Sequence, residues 1–354
     1  MGRVKVVRVL LFTLFLLLFT GCSTKEITLN QKKLNIEVLN WNHFENISPP
    51  NEDFWKALQR SCKMVSKFGE YCNLSNEVEL KRDFLPVLIK EKGVMTGYFE
   101  PTLFGSLEKN ERFKYPIYGV PKDLIEIDLS KLYPALSKYR LRGELKNGKI
   151  IPYKSHKQIA QNGIDADVLC YVEDKIELFF LHIQGSGRVV LENEKVLNIG
   201  YANQNGHPYV GIGKVMREEK LLEKVSLQTI YDYLEKNPNE VDEILFKNPS
   251  FIFFTIKNQG ATGASGALLT KNISVAVDRD YIPLGIPLFI KNDKLPNSWV
   301  VAQDVGGAIK GASRIDYFFG NQKGARESAG ELYEKVELIL FLPKPFLKEI
   351  NLIK

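Results

Sequence analysis

The stretch VAQDVGGAIKGASRIDYFFG, residues 301–320, sets Asp304 and Asp316 twelve positions apart around a glycine-rich turn, each beside a run of strand-forming residues. Asp278 closes a third apolar run at 273–277. Isolated carboxyls of this kind suit glycoside chemistry. A glycosidic oxygen leaves readily only once protonated, which requires a carboxyl whose pKa is raised by an apolar or anionic neighbourhood. Asp316 lies between Ile315 and Tyr317-Phe318-Phe319, an environment able to desolvate it. Asp304, beside Gly306-Gly307, sits where strand gives way to turn. Capping backbone amides is the other use of a turn aspartate; it competes evenly for Asp304 and is favoured for Asp278. An aspartate inside an aromatic strand has no turn to serve, so Asp316 is the candidate acid and Asp304 the supporting charge.

Other chemistries find less support. His43, His156, His182 and His207 are scattered singly, with no spaced His or Cys partner, so neither a metal site nor a cofactor is expected. There is no Gly-x-Ser-x-Gly elbow, and the glycines of Gln184-Gly185-Ser186-Gly187-Arg188 do not open a helix as a phosphate loop would. No basic stripe interleaved with aromatics suggests nucleic acid.

The elements that must carry these residues are mostly strands. Short apolar runs at 251–256, 273–277, 286–290, 299–303, 315–319 and 336–342, with glycine turns between them, predict a small closed barrel. A β-rich stretch from about 105 to 210 includes runs at 175–184, 188–192 and 196–201. Phe54, Trp55, Leu58, Cys62, Val65 and Phe68 recur at helical spacing. A second helix is predicted at 78–91, kinked or split in two by Pro86, and further helices at 215–237 and 241–246. Residues 25–50 read as a polar tether with a first strand at 35–39.

At the N-terminus a basic head (Arg3, Lys5, Arg8) precedes an apolar run too short for a comfortable membrane span, which is the pattern of a secretory signal. Removing residues 1–21 takes those three of the 48 basic side chains and none of the 42 acidic ones, so the charge drops from +6 to +3. Such a balance implies no strongly charged partner. Export also permits a bridge between Cys62 and Cys72, although three buried thiols, with Cys170, fit the sequence as well.

Phe19-Thr20-Gly21-Cys22 resembles a bacterial lipobox, which implies a diacylated Cys22 and, with Ser23 next, an outer-membrane lipoprotein facing the periplasm. The blocks GYFEP (97–101), HIQGSGRV (182–189), GYANQNGHPYVGIG (200–213), NPSFIFF (248–254), GASGALLTKNISVAVDRDYIPLGIPLFI and AQDVGGAIKGASRIDYFFG follow in order. Together they resemble the membrane-bound lytic transglycosylase A family of murein-cleaving lipoproteins. The resemblance implies a mainly β fold with flanking helices: a double-psi β-barrel formed by both chain ends, plus an inserted second β-barrel-like domain. The corresponding division is signal 1–21, tether and first barrel part 22–104, insert 105–250 and catalytic barrel segment 251–354.

The implied activity is cleavage of the MurNAc-GlcNAc β-1,4 bond with formation of 1,6-anhydro ends, Asp316 acting as acid and then base, supported by Asp304. The implied substrate-binding residues are Tyr98, Gln184, Gly185, Ser186, Gly187, Tyr201 and Asp278, and the implied partners are murein glycan strands, outer-membrane lipid and a murein synthase or penicillin-binding protein. A hydrolase using water, a non-catalytic murein-binding lipoprotein and a scaffold for synthesis enzymes remain alternative readings.

Overall fold

The computed structural model describes residues 25–65, 67–292, 295 and 299–354; the signal segment and Cys22 lie outside them. Six strands pair in a closed ring: Gly93–Tyr98, Tyr333–Pro343, Pro287–Lys291, Trp299–Asp304, Ser274–Val277, Arg314–Phe318, and back to Gly93–Tyr98. One strand comes from the first third of the chain and five from beyond residue 270, so the barrel joins the two ends of the described chain. Two of its pairings are parallel, Ser274–Val277 with Trp299–Asp304 and Arg314–Phe318 with Gly93–Tyr98. Its interior is filled by residues such as Met95, Val275, Leu288, Ile315 and Leu340, each essentially without solvent contact. Closure leaves these strands no open edge.

Gly93 marks how tightly the two chain ends meet: a Cβ built there would lie 1.9 Å from the carbonyl oxygen of Ser313, in the turn just before the neighbouring strand. Only a residue without a side chain admits that approach.

Three further strands, Lys25–Thr28, Lys33–Val38 and Phe84–Ile89, extend the sheet from the long strand Tyr333–Pro343. The expected tether is thus largely strand: Ile27, Leu29, Leu34 and Ile36 alternate inward and are buried. The expected kinked helix is also different. Helix Glu77–Asp83, capped by the Asn76 side chain, stops before the run FLPVLI, which is strand. Pro86 is tolerated because its carbonyl, which accepts from Leu39 N, faces just past the last residues paired with Lys33–Val38. Its missing N–H therefore breaks no ladder bond.

Helix Glu52–Val65 packs Phe54, Ala57, Leu58 and Cys62 on the barrel, and Cys62 bridges to Cys72 across a Cα–Cα distance of 5.2 Å. Cys170 is a buried free thiol. Closing a loop of this size is worth about 3 kcal/mol through the unfolded chain. The Cys62→Ser, Cys72→Ser double variant is expected to lose that much stability in urea unfolding.

Between the barrel strands Gly93–Tyr98 and Ser274–Val277 the chain builds a second β-module. Its six-stranded sheet runs Ile252–Lys257, Val196–Gln204, Ser186–Leu191, Thr102–Ser106, Val168–Val172, Tyr115–Tyr118 over its own core, which includes Leu103, Ile117, Val172 and Val189. A small sheet of Ile125–Ile127, Leu141–Lys146 and Lys149–Pro152 adds to it. Helices Ile212–Glu218, Leu227–Lys236 and Val241–Phe246 pack with helix Lys175–Gln184 in a separate cluster. The run at 175–184 is therefore helix and not strand. Asp174 caps its first amides and Gly185, at φ +75°, ends it in the left-handed region. A short, mostly apolar run does not announce its period, and here length and caps decide. The fold is mainly β with flanking helices, a closed barrel from both chain ends and an inserted second β-module, as the resemblance implied.

Candidate active site

Strand register places the acidic residues in one row. Asp304 pairs with Ala276, Ala276 with Asp316, and Asp316 with Thr96, across four adjacent barrel strands. Strands lie about 4.8 Å apart, so the two aspartates stand roughly two spacings, about 10 Å, from each other at their Cα atoms. Ala276, buried and small, is all that lies between them on this face.

A β-bulge creates the row. Val275 pairs with Ala302, but Ala276 pairs with Asp304, so one residue is extra on the Trp299–Asp304 strand. That residue, Gln303, is fully buried and donates to Ser61 Oγ at 2.6 Å beneath the sheet. Without the bulge, Gln303 would face Ala276 and Asp304 would be turned away from Asp316.

Asp304 is firmly held. Oδ1 accepts from Ala264 N at 2.8 Å and Val305 N at 2.9 Å, and Oδ2 accepts from the Tyr98 hydroxyl at 3.2 Å. Burial raises its pKa, against the pull of those three donors. Asp316 is held on one side only. Oδ1 accepts a short hydrogen bond from Thr96 Oγ1, and among the described residues Oδ2 has no partner. Its pKa is pushed up to about 6, chiefly by burial; the Thr96 hydroxyl and the Arg314 cation oppose the rise and the Asp304 charge adds to it. Desolvation thus outweighs like charge as the source of an acid that keeps its proton up to about pH 6.

Tyr98 completes the face. Its ring is buried 5.0 Å from that of Phe318, in a cluster with Ala261, Leu269, Ala276 and Ile309 that walls off the carboxyls. The sequence names Tyr98, Asp304 and Asp316 singly, and the fold brings the three together. Sequence alone misses Thr96 and Arg314, although Thr96 lies two residues before Tyr98 and so on the same strand face.

The other candidates spread out. Gln184 sits at the barrel junction, where its Oε1 accepts from Phe99 N at 3.3 Å. Gly185 ends the helix, and Gly187 is packed so closely that a Cβ would lie 2.5 Å from Leu181 Cδ1. Ser186, buried, pairs with Gly200 in the inserted sheet, and Tyr201 on the same strand as Gly200 is exposed. Asp278, expected among the sugar-binding residues, has its carboxylate engaged by backbone amides. It is 3% exposed, and its carboxylate accepts from Asp280 N at 3.1 Å and Gly311 N at 2.9 Å, tying down the loop before Asp316.

Residues 94–255 match the pattern described as the MltA specific insert domain, and residues 273–342 that of the 3D domain. The chain is 33% identical over 250 residues to the membrane-bound lytic murein transglycosylase A of Escherichia coli (strain K12), covering 66% of this chain and 61% of that protein. It is 28% identical over 331 residues to the homolog of Buchnera aphidicola, covering 87% and 80%. The crystal structure of MltA from Neisseria gonorrhoeae in its monoclinic form superposes with a TM-score of 0.72 at 31% identity, over 90% of this chain and 95% of that one. Escherichia coli MltA with bound chitohexaose gives 0.65 at 25% identity, over 84% and 91%.

Proposed function

Since the chain belongs to the membrane-bound lytic murein transglycosylase A family, we propose that it cleaves the MurNAc-GlcNAc β-1,4 bond of peptidoglycan without water, leaving 1,6-anhydro-MurNAc ends. The observation that carries this reading is one half-buried carboxyl of raised pKa with one oxygen left free. Protonated Asp316 donates from Oδ2 to the glycosidic oxygen, and the C1–O bond breaks toward an oxocarbenium-like state. The resulting Asp316 carboxylate takes the proton of the C6 hydroxyl as that oxygen bonds to C1. The acid returns protonated, and no atom of water enters. An intramolecular nucleophile needs no second base, because its proximity is built into the sugar.

Asp304 suits the supporting role. Its oxygens are already engaged by two amides and the Tyr98 hydroxyl, so it is a fixed negative charge near the developing cation and a poor base for water. The glycan would lie between the barrel, whose strands run at 93–98 and from 274 on, and the inserted module; Thr102–Ser106, across the expected boundary at 104, and Ile252–Lys257, on the barrel side of the one at 251, belong to the inserted sheet. Tyr201, exposed on the inserted sheet, offers a ring for stacking. The sugar oligomer chitohexaose bound to the Escherichia coli relative accords with a glycan substrate.

Signal cleavage before Cys22, its acylation and residence at the outer membrane's periplasmic face belong to the same proposal, supported by the lipobox-like stretch. Among the described residues no helix is long and apolar enough to cross a membrane. Mass spectrometry of muropeptides released from purified sacculi by the chain lacking residues 1–22 tests the chemistry. Products lighter by one water than their reducing counterparts are expected; reducing MurNAc ends would turn the reading into hydrolysis.

A further inference from the structure

We propose that Thr96 is a positioning residue that reserves Oδ1 of Asp316 as an acceptor and so directs the acid's proton to Oδ2, the oxygen left free for the substrate. The inference rests on Asp316 being the acid. Its basis is a relay read from donor and acceptor capacity. Arg314 Nη1 donates to the carbonyls of Val94 and Ile315, at 3.2 and 2.5 Å, which pins the guanidinium across the parallel strand pair. Its Nη2 then donates to Thr96 Oγ1 at 2.7 Å. A guanidinium only donates and a hydroxyl carries a single hydrogen. With Oγ1 already accepting from the cation, its hydrogen turns to the acceptor on its other side, which is Asp316 Oδ1.

Two consequences follow for the carboxyl. In the protonated state, Oδ1 is occupied as an acceptor, so the proton resides on Oδ2. In the ionised state, a charge-assisted bond from Thr96, polarised by Arg314, stabilises the carboxylate that must form when the proton is given away. The groups facing Asp316 are Thr96 on the strand Gly93–Tyr98, Arg314 on its own strand and Asp304 across Ala276, with the Tyr98 hydroxyl beyond on Asp304. Among the described residues, Thr96 is the one in direct hydrogen-bond contact with the carboxyl.

The test is the pH profile of murein digestion for Thr96→Val, isosteric but without the hydroxyl, beside Thr96→Ser. For Thr96→Val, kcat is expected to fall about 10-fold with KM unchanged, and the alkaline limb to move to higher pH by about one unit, since the carboxylate loses a donor. Thr96→Ser, which keeps the donor, is expected to restore both. An alkaline limb unmoved in Thr96→Val, or a serine variant no better than the valine one, would overturn the relay. Thermal unfolding of both variants separates misfolding from loss of the bond: a valine variant that melts like wild type and keeps its wild-type profile counts against the inference. If Asp316→Asn itself remains active, the functional reading fails instead, which distinguishes the two.

Discussion

Asp316→Asn is expected to lose roughly 10³-fold or more of its turnover on purified sacculi, the upper range for a positioned general acid, while still binding them. Asparagine keeps the shape and can still accept from Thr96 Oγ1, so the loss isolates the proton. In the wild-type enzyme the acid must be protonated when substrate binds, so kcat/KM should be flat at low pH and fall with unit slope above about 6, where Asp316 ionises. The same shift has a sign for stability. Burial disfavours the charged form in the fold, raising the carboxyl from its ordinary 3.8 to about 6. The penalty is therefore absent below the ordinary value, grows between the two, and is complete above 6. Asp316→Asn removes it, so the variant's Tm should exceed that of the wild type at pH 7.5 and the gap should close as pH is lowered toward 4. An active variant, or one less stable at pH 7.5 than at pH 4 relative to wild type, would remove Asp316 from the acid's role.

Trp299→Ala carries the largest expected structural effect. Trp299 is 2% exposed and its ring lies 4.9 Å from Phe341, 5.2 Å from Phe289, 5.6 Å from Phe44 and 5.9 Å from Phe54, so it joins the barrel to the segment before its first helix. Its Nε1 donates to Ser48 O at 2.8 Å. Truncation leaves a cavity where four rings met and an acceptor without its donor, a loss of about 3–5 kcal/mol and a Tm lower by roughly 10 °C. Denaturant unfolding followed by circular dichroism measures it. Trp299→Phe should recover most of the packing but not the bond to Ser48, and so fall between the two. A truncation costing under about 1 kcal/mol would mean that the N-terminal segment is not held through this residue.

Much of the architecture was legible along the chain. The five barrel strands beyond residue 270 and helix Glu52–Val65 stand where their apolar periodicity puts them. Errors fell where local signals compete. Pro86 looks like a helix breaker, yet it lies in a strand at a position where no N–H is needed. The run at 175–184 has no period to read, and only its caps at Asp174 and Gly185 make it helix. The polar residues of 25–38 hide an inward alternation of Ile27, Leu29, Leu34 and Ile36. Whether Cys62 and Cys72 meet was open until helix Glu52–Val65 and the turn after it brought their Cα atoms to 5.2 Å.

For the site, the chemistry available is legible in the chain: four scattered histidines, and an aspartate beside Ile315, Tyr317 and Phe318, a setting able to desolvate it. Residue type suggests as much, but Ile315 and Tyr317 face the barrel core, and it is Phe318, with Tyr98 and Ala276, that stands on the side of Asp316. Tertiary structure alone decided which groups share a face. Thr96 and Asp316 are 220 residues apart and meet through one register of a parallel pair, and Asp304 joins them only because Gln303 is bulged into the core. Side chains alternate with every residue of a strand, so a slip of one would separate all three, and nothing short of the closed barrel fixes that register.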